Sequence, residues 1–225
     1  MRLTARKRRK ILALAALLAA LALAVYLLLD NAVFIARDVR VEGNQTIDDQ
    51  SIMRAARLPL GGKMRDVDEE TVRSALESGG LVELVSLEKN YPSEIVLNVR
   101  ERVCEAVVAH AGVVLTLERD GTVIERLSTL PDIGAVYVTG LGVTSYRLGE
   151  VVSAPSARLS AMTAVLDALY DNGATQYVSE LNVSDANSLY IYTRTGMRVD
   201  LGNSENMNNK IIWMAGTLKD LEARG

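Results

Sequence analysis

The sequence predicts an α+β protein that begins with a transmembrane helix and continues into two folded regions. Residues 11–29 form a 19-residue run without a charged side chain. Residues 33–102 show strand and helix patterns in the order strand, helix, helix, strand, strand. Residues 103–225 predict a second, mostly antiparallel β domain with two helices. About 195 residues follow the apolar run, which is enough chain to bury a core in one long domain or two small ones.

The apolar run has the length and flanks of a membrane anchor. A helix needs about 20 apolar residues to cross the hydrocarbon core. Residues 1–10 contain six basic residues and no acid, so the positive-inside rule predicts a cytoplasmic basic tail and an exported body. A cleaved signal peptide is the alternative, with Ala22-Leu23-Ala24 as the cleavage site. The run exceeds the 7–15 apolar residues typical of signal peptides, which favours a retained anchor.

The first folded region starts with a strand and a short helix. Phe34–Val41 alternates partly, with Val39 and Val41 on one face, and residues 42–45 predict a turn. Thr46 is the predicted N-cap of the first helix. The apolar stripe of this helix consists of Ile52, Met53 and Ala56.

A second helix and a hairpin complete this region. Asp66 or Asp68 caps the helix, and Gly79-Gly80 ends it. Its apolar face consists of Val72, Ala75 and Leu76. In the first hairpin strand, Val85 and Leu87 face one way, and Asn90-Tyr91-Pro92-Ser93 predicts the turn. In the second strand, alternation assigns one face to Ile95, Leu97 and Val99.

The second region carries further strand and helix patterns. An Asp120-Gly121 turn predicts a hairpin between two of its strands. The predicted strands are Val113–Leu117, Val123–Leu127, Val136–Thr139, Val178–Val183, Leu189–Thr193 and Met197–Leu201. The predicted helices are Ser156–Tyr170 and Asn206–Glu222. One face of the last helix aligns Ile211, Met214, Leu218 and Leu221.

The residues that carry catalysis or bind metals are scarce. The chain has one cysteine, Cys104, and one histidine, His110, which together cannot supply the usual zinc ligands. We interpret Cys104 as a small buried side chain, with a reactive thiol or an intermolecular bridge as alternatives. The acidic run 66–70 is interpreted as a helix start rather than a cation site. We therefore expect no enzyme activity, no metal and no cofactor.

The charge of the chain argues against nucleic acid as a partner. After residue 10 the chain carries 28 acidic and 19 basic residues. Such an acidic body argues against nucleic-acid binding, which requires cations to neutralise phosphates.

Trp213 is the one tryptophan and lies on the last predicted helix. Packing in the core is its favoured role, with a partner contact as the alternative.

Several short motifs occur in one order along the chain. They are Val39-Arg40-Val41-Glu42-Gly43-Asn44, the segment 89–102, the Asp120-Gly121 turn, Gly140, and the strand 198–202 followed by a helix carrying Lys210. In this order they resemble the FtsQ/DivIB family of bacterial cell division proteins, and the first folded region resembles a POTRA domain. Cys104 stands where the family often has proline. Relatives commonly continue into a further strand after the last helix, whereas this sequence ends at Gly225.

The resemblance implies a non-catalytic divisome scaffold in the cell membrane at the division septum. It would bind the extracytoplasmic parts of FtsL-like and FtsB/DivIC-like bitopic proteins, and the complex would regulate the septal peptidoglycan synthase. Strand addition at Met197–Leu201 is the expected docking mode. The candidate partner-binding residues are Arg198, Val199, Asp200, Leu201, Lys210 and Trp213. The alternative function is a POTRA-type component of a secretion or envelope assembly machine, although such proteins usually carry repeated modules or a β-barrel. An exported enzyme is the third possibility, and no recognisable catalytic constellation supports it.

Overall fold

A computed structural model describes residues 5–131 and 134–224, so the first four residues of the predicted basic tail lie outside the described part. The helices are α1 Ala5–Ala32, α2 Asp49–Ala56, α3 Glu69–Glu77, α4 Ser156–Asp171 and α5 Met207–Arg224. The strands are β1 Asp38–Glu42, β2 Val82–Asn90, β3 Glu94–Glu101, β4 Ala106–His110, β5 Val113–Leu117, β6 Val123–Leu127, β7 Val136–Thr139, β8 Val178–Asn182, β9 Leu189–Thr193 and β10 Arg198–Gly202. These elements confirm the predicted α+β class.

Helix α1 contains the predicted anchor. Its segment Lys10–Leu29 is the one stretch, among the described residues, that is long and apolar enough to cross a membrane. Twenty residues at 1.5 Å per residue span about 30 Å, the thickness of the hydrocarbon core. The apolar side chains of this segment are exposed on every side. A helix that is apolar all round and buries nothing against its own protein suits a lipid environment.

The first compact unit comprises the chain up to residue 75 together with residues 84–100. Its sheet has the order β1-β3-β2, with β1 parallel to β3, and Val39 and Val41 pair with Ile95 and Leu97. The core of the unit contains the fully buried side chains of Ile52, Met64, Leu84, Ile95 and Leu97.

The start of α2 differs from the prediction that Thr46 is its N-cap. Asp48 is the cap, because its carboxylate accepts a hydrogen bond from the Ser51 N–H at 3.0 Å. In α3 the cap is Asp68, which accepts from the Thr71 N–H at 2.9 Å. The other candidate, Asp66, belongs to a 3₁₀ turn that precedes the helix.

The buried face of β2 also differs from the prediction. Val82 and Leu84 are buried, whereas Val85 is 60% exposed and Leu87 is half-buried. Val85 and Leu87 do share a face, as predicted, but it is the less buried face of the strand. The strand begins earlier than its apolar pattern suggested, at Val82.

The second compact unit comprises residues 76–83 and the chain from residue 101 onward. Its seven-stranded sheet has the order β10-β9-β8-β7-β4-β5-β6. The pairs β4–β7 and β7–β8 are parallel and the others are antiparallel. Strand β4 was not predicted, and the strand predicted over Met197–Leu201 is found one residue later, at Arg198–Gly202.

Helices α4 and α5 supply the apolar side chains that pack with this sheet. Met162, Leu166 and Leu169 of α4 are buried, as are Ile211 and Met214 of α5. Leu221 was predicted to share this face of α5, but its side chain is 48% exposed.

One nearly buried ion pair lies in the second unit. Arg102 Nη1 donates a hydrogen bond to Glu118 Oε2, and the two side chains are 7% and 11% exposed. Because both charges are removed from water, each depends on the other for compensation. A more exposed network lies close to this pair in sequence, where Arg119 bonds to Glu105 at 2.8 Å and stacks on the Tyr170 ring at 4.1 Å.

Candidate partner-binding surface

Strand β10 is an edge strand of the seven-stranded sheet. It pairs with β9 on one side, and no other described strand pairs with its outer side. Thr193 N–H donates to Met197 C=O at 2.8 Å. Because hydrogen-bonded positions alternate in an antiparallel ladder, Val199 bonds toward β9. The backbone N–H groups of Arg198 and Asp200 therefore point toward the open edge.

A groove lies between β10 and α5. Its volume is about 480 Å³. All six residues that the sequence predicted for partner binding line it, so the fold brings them together. The full lining consists of Met197, Arg198, Val199, Asp200, Leu201, Lys210, Trp213, Met214, Thr217, Leu218 and Leu221. A second hollow of about 410 Å³ shares Met197, Leu218 and Leu221 with it, so the apolar surface continues around α5.

Trp213 is the most exposed large side chain of this surface. Its exposed fraction is 78%, which contradicts the favoured interpretation that it packs in the core. It lines the groove on one side and another hollow of about 510 Å³ on the other. The neighbouring Ile212 is 48% exposed. Exposed aromatic and aliphatic side chains that adjoin an edge strand are typical of a protein-binding surface.

The polar residues of β10 are held in place by β9. Arg198 Nη2 donates to Asp200 Oδ1 at 2.7 Å, and this hydrogen bond raises the pKa of the Arg198 guanidinium. The guanidinium also stacks on the Tyr190 ring at 3.9 Å, and Tyr190 contacts Tyr192 edge to face at 5.9 Å. Both tyrosines project from the face of β9 opposite its buried residues, so their alternation in the sequence could have revealed this support for Arg198.

Leu201 and Lys210 connect the strand to the following helix. Leu201 is buried in the core of the unit, so it anchors β10 rather than facing a partner. Lys210 Nζ donates to the backbone oxygen of Asn203 at 2.9 Å and to its side-chain Oδ1 at 3.3 Å. These bonds tie the first turns of α5 to the turn that follows β10. Met197, the first residue of the predicted docking strand, and Leu218, predicted on the apolar face of the last helix, also line the groove.

The geometry offers little support for catalysis. Within the described residues, no group of three or more His, Cys, Asp or Glu side chains could hold a metal ion. His110 ends β4 and contacts Tyr146 edge to face at 5.8 Å, whereas Cys104 precedes that strand. An extended strand from Ala106 to His110 spans about 13 Å, too far for a Cys–His pair. Burial raises the pKa of the Cys104 thiol to about 11, so it is protonated at neutral pH.

Among the described residues, one amino-terminal helix is long and apolar enough to span a membrane, and a strand-helix-helix-strand-strand unit follows it, which is the arrangement of a membrane-anchored POTRA-domain protein. Residues 34–102 match the family described as "POTRA domain, FtsQ-type". The curated relatives include cell division protein DivIB of Clostridium tetani, 20% identical over 174 residues, which are 77% of this chain and 65% of the relative. Cell division protein FtsQ of a Geobacter species (strain M21) is 25% identical over 187 residues, which are 82% of this chain and 67% of that protein.

A third relative, cell division protein FtsQ of Syntrophotalea carbinolica, is 24% identical over 83% of this chain and 66% of its own length. The chain thus spans about two thirds of the relatives it matches. The major extracytoplasmic domain of DivIB from Geobacillus stearothermophilus, solved as its trans isomer, aligns with a TM-score of 0.34 and 16% identity over 49% of this chain and 86% of that domain. Residues 34–102 thus match an FtsQ-type POTRA domain, and the chain is similar to bacterial cell division proteins named FtsQ and DivIB.

Proposed function

We propose that this protein is a non-catalytic scaffold of the divisome, anchored by α1 with its amino terminus in the cytoplasm. Residues 33–102 and 103–225 then form two extracytoplasmic domains at the division septum. The relatives' names support a role in cell division. The basic residues before Ile11 support the orientation.

The proposed partners are the extracytoplasmic parts of FtsL-like and FtsB/DivIC-like bitopic proteins, and the complex regulates the septal peptidoglycan synthase. The observation that carries this proposal is the open edge of β10 beside the apolar groove. A partner segment in extended conformation pairs with the outward N–H and C=O groups of Arg198 and Asp200. Its apolar side chains enter the groove and cover Trp213.

Proline at position 200 tests the docking mode. Asp200→Pro removes an outward N–H, and proline is tolerated in edge strands. Asp200→Ala is the matched control, since it loses the same contact with Arg198 but keeps the N–H. We expect Asp200→Pro to weaken partner binding at least about tenfold, since the lost hydrogen bond and the ring's obstruction together exceed about 1.4 kcal/mol. We expect Asp200→Ala to stay within about threefold of the parent protein.

The measurement is binding of the full-length chain in detergent to each purified partner domain from the native host. Circular dichroism checks that both variants remain folded. Equal binding by a folded Asp200→Pro variant would rule out strand addition at this edge. Absence of binding by the unmodified chain to either partner would rule out the scaffold function itself.

A further inference from the structure

The segment that follows the anchor helix starts at the boundary of the hydrocarbon core. Phe34 N–H donates to the C=O of Leu29 at 2.9 Å, and Leu29 is the last residue of the apolar span. This bond keeps the backbone of Phe34 beside the end of the span. The interfacial zone of each leaflet is about 5–8 Å thick, given a core of about 30 Å within about 40–45 Å in all. With α1 spanning the bilayer, the backbone of Phe34 falls at the level of the headgroup zone, and its ring is half-buried.

A second aromatic side chain is held at the same level. Tyr91, at the tip of the β2–β3 hairpin, contacts Phe34 edge to face with ring centroids 5.4 Å apart. The hairpin is fixed there, since Arg37 N–H and Asp38 N–H both donate to the C=O of Ser93, at 2.9 and 3.2 Å. Tyr91 nevertheless leaves 60% of its surface uncovered. The hairpin tip of the first compact unit thus lies beside the segment that follows the anchor helix and carries an exposed aromatic ring.

Cationic residues accompany this aromatic pair. Met64 N–H donates to the C=O of Phe34 at 3.0 Å, and Ile35 forms an antiparallel bridge with Lys63. Antiparallel pairing carries the chain after Lys63 back toward the anchor, so Arg65 lies beside the start of the folded unit. The segment 57–65 contains three basic residues and no acid, although Arg65 pairs with Asp66 at 3.3 Å. This charge suits the phosphate groups of lipids.

We propose that Phe34 and Tyr91 form a lipid-contacting site in the interfacial zone of the outer leaflet, beside the basic segment that carries Lys63 and Arg65. The Tyr91 ring favours this zone because its apolar body and polar hydroxyl are both satisfied there, and the Phe34 ring adds apolar surface beside it. The site restricts the rotation of the first unit about the anchor by giving it a second attachment to the bilayer. The proposal rests on the membrane anchoring of α1 and is independent of the role in division.

A single reporter tryptophan tests the depth of Tyr91. Trp213 is the one native tryptophan, so in the Trp213→Phe variant the tryptophan introduced by Tyr91→Trp is the one source of tryptophan fluorescence. The full-length chain is reconstituted into phosphatidylcholine–phosphatidylglycerol vesicles whose acyl chains carry bromine near the carbonyl end. The matched control is Val85→Trp, since Val85 is equally exposed at 60% but lies about 20 Å away along β2. Phe34→Trp serves as a second reporter should Tyr91→Trp fail to fold.

We expect a blue-shifted emission from position 91 and quenching by roughly half, as for residues of the interfacial aromatic belt. Position 85 should emit as in water and remain unquenched. Equal, solvent-like emission from positions 91, 34 and 85 in chains that resist alkaline extraction would overturn the lipid contact while leaving the anchor intact. Loss of the chain from vesicles on alkaline extraction would overturn the anchoring and the lipid contact together.

Discussion

Truncation of Trp213 to alanine isolates the apolar part of the proposed docking surface. A tryptophan side chain offers about 250 Å² of surface, and 78% of Trp213 is exposed. A partner that covers the ring therefore removes about 190 Å² from water, worth up to about 5 kcal/mol at 25 cal/mol per Å². Truncation of a tryptophan at the centre of an interface typically costs about 2–4 kcal/mol of binding free energy. We expect Trp213→Ala to weaken binding about 30- to 1,000-fold.

The same substitution should leave the fold nearly unchanged. The buried remainder of Trp213 is about 55 Å², so the free energy of unfolding should fall by no more than about 1.5 kcal/mol. Isothermal titration of the full-length chain with the FtsB/DivIC-like domain measures the affinity, and thermal melting measures the stability. Tyr170→Ala is the matched control, because Tyr170 is 55% exposed on α4 and does not line the groove. Unchanged affinity in a folded Trp213→Ala variant would refute the reasoning.

Three further predictions concern stability and reactivity. Glu118→Ala leaves Arg102 buried without its partner, so urea unfolding followed by circular dichroism should show a loss of about 3 kcal/mol in the free energy of unfolding. A loss below about 1 kcal/mol would contradict this. Because burial raises the pKa of Cys104 to about 11, its alkylation at pH 8 should be roughly a hundredfold slower than that of a thiol with an ordinary pKa. An alkylation rate equal to that of free cysteine would contradict this, because it would show an accessible thiolate. Hydrogen bonds from the Ser51 side chain and backbone lower the pKa of Asp48, so the cap of α2 should persist above pH 3.8 and be lost as the pH falls through the lowered pKa. Amide exchange in α2 measures this loss. Exchange that does not depend on pH in this range, after correction for intrinsic rates, would contradict the prediction.

The anchor and most of the element order follow from local sequence patterns. A charge-free run of this length predicts a spanning helix without tertiary information. The strands around the Asp120-Gly121 turn were predicted at their observed bounds, since both the alternation and the turn residues are local signals.

Other features depend on contacts that the sequence does not display. Strand β4 is an unbroken apolar run, Ala106-Val107-Val108-Ala109, and it pairs in parallel with β7, about 30 residues further along. In β2, Val82 and Leu84 lie on one face and Val85 and Leu87 on the other, so the sequence pattern allows either face to be buried. Tertiary packing buries the face with Leu84. Thr46 and Asp48 are both good N-cap residues, and only the path of the chain decides between them.

The six residues named from the sequence line one groove, and the sequence did not indicate which of them are buried and which exposed. The sequence suggested the strand 198–202 and the helix with Lys210 through family resemblance, and the structure places these residues around one groove. The sequence aligned Ile211, Met214 and Leu218 on the apolar face of α5, and all three are buried, but it favoured a core position for Trp213 as well. Tertiary packing buries Ile211 and Met214 and leaves Ile212 and Trp213 exposed.

The central claim is that the protein acts at the division site as an anchored scaffold. Imaging of a fluorescent protein fused to the cytoplasmic amino terminus, in dividing cells of the native host, tests it most directly. The account predicts a band at midcell that appears with constriction and weakens in cells that carry Trp213→Ala in place of the parent chain. A uniform membrane signal throughout the cell cycle would contradict it.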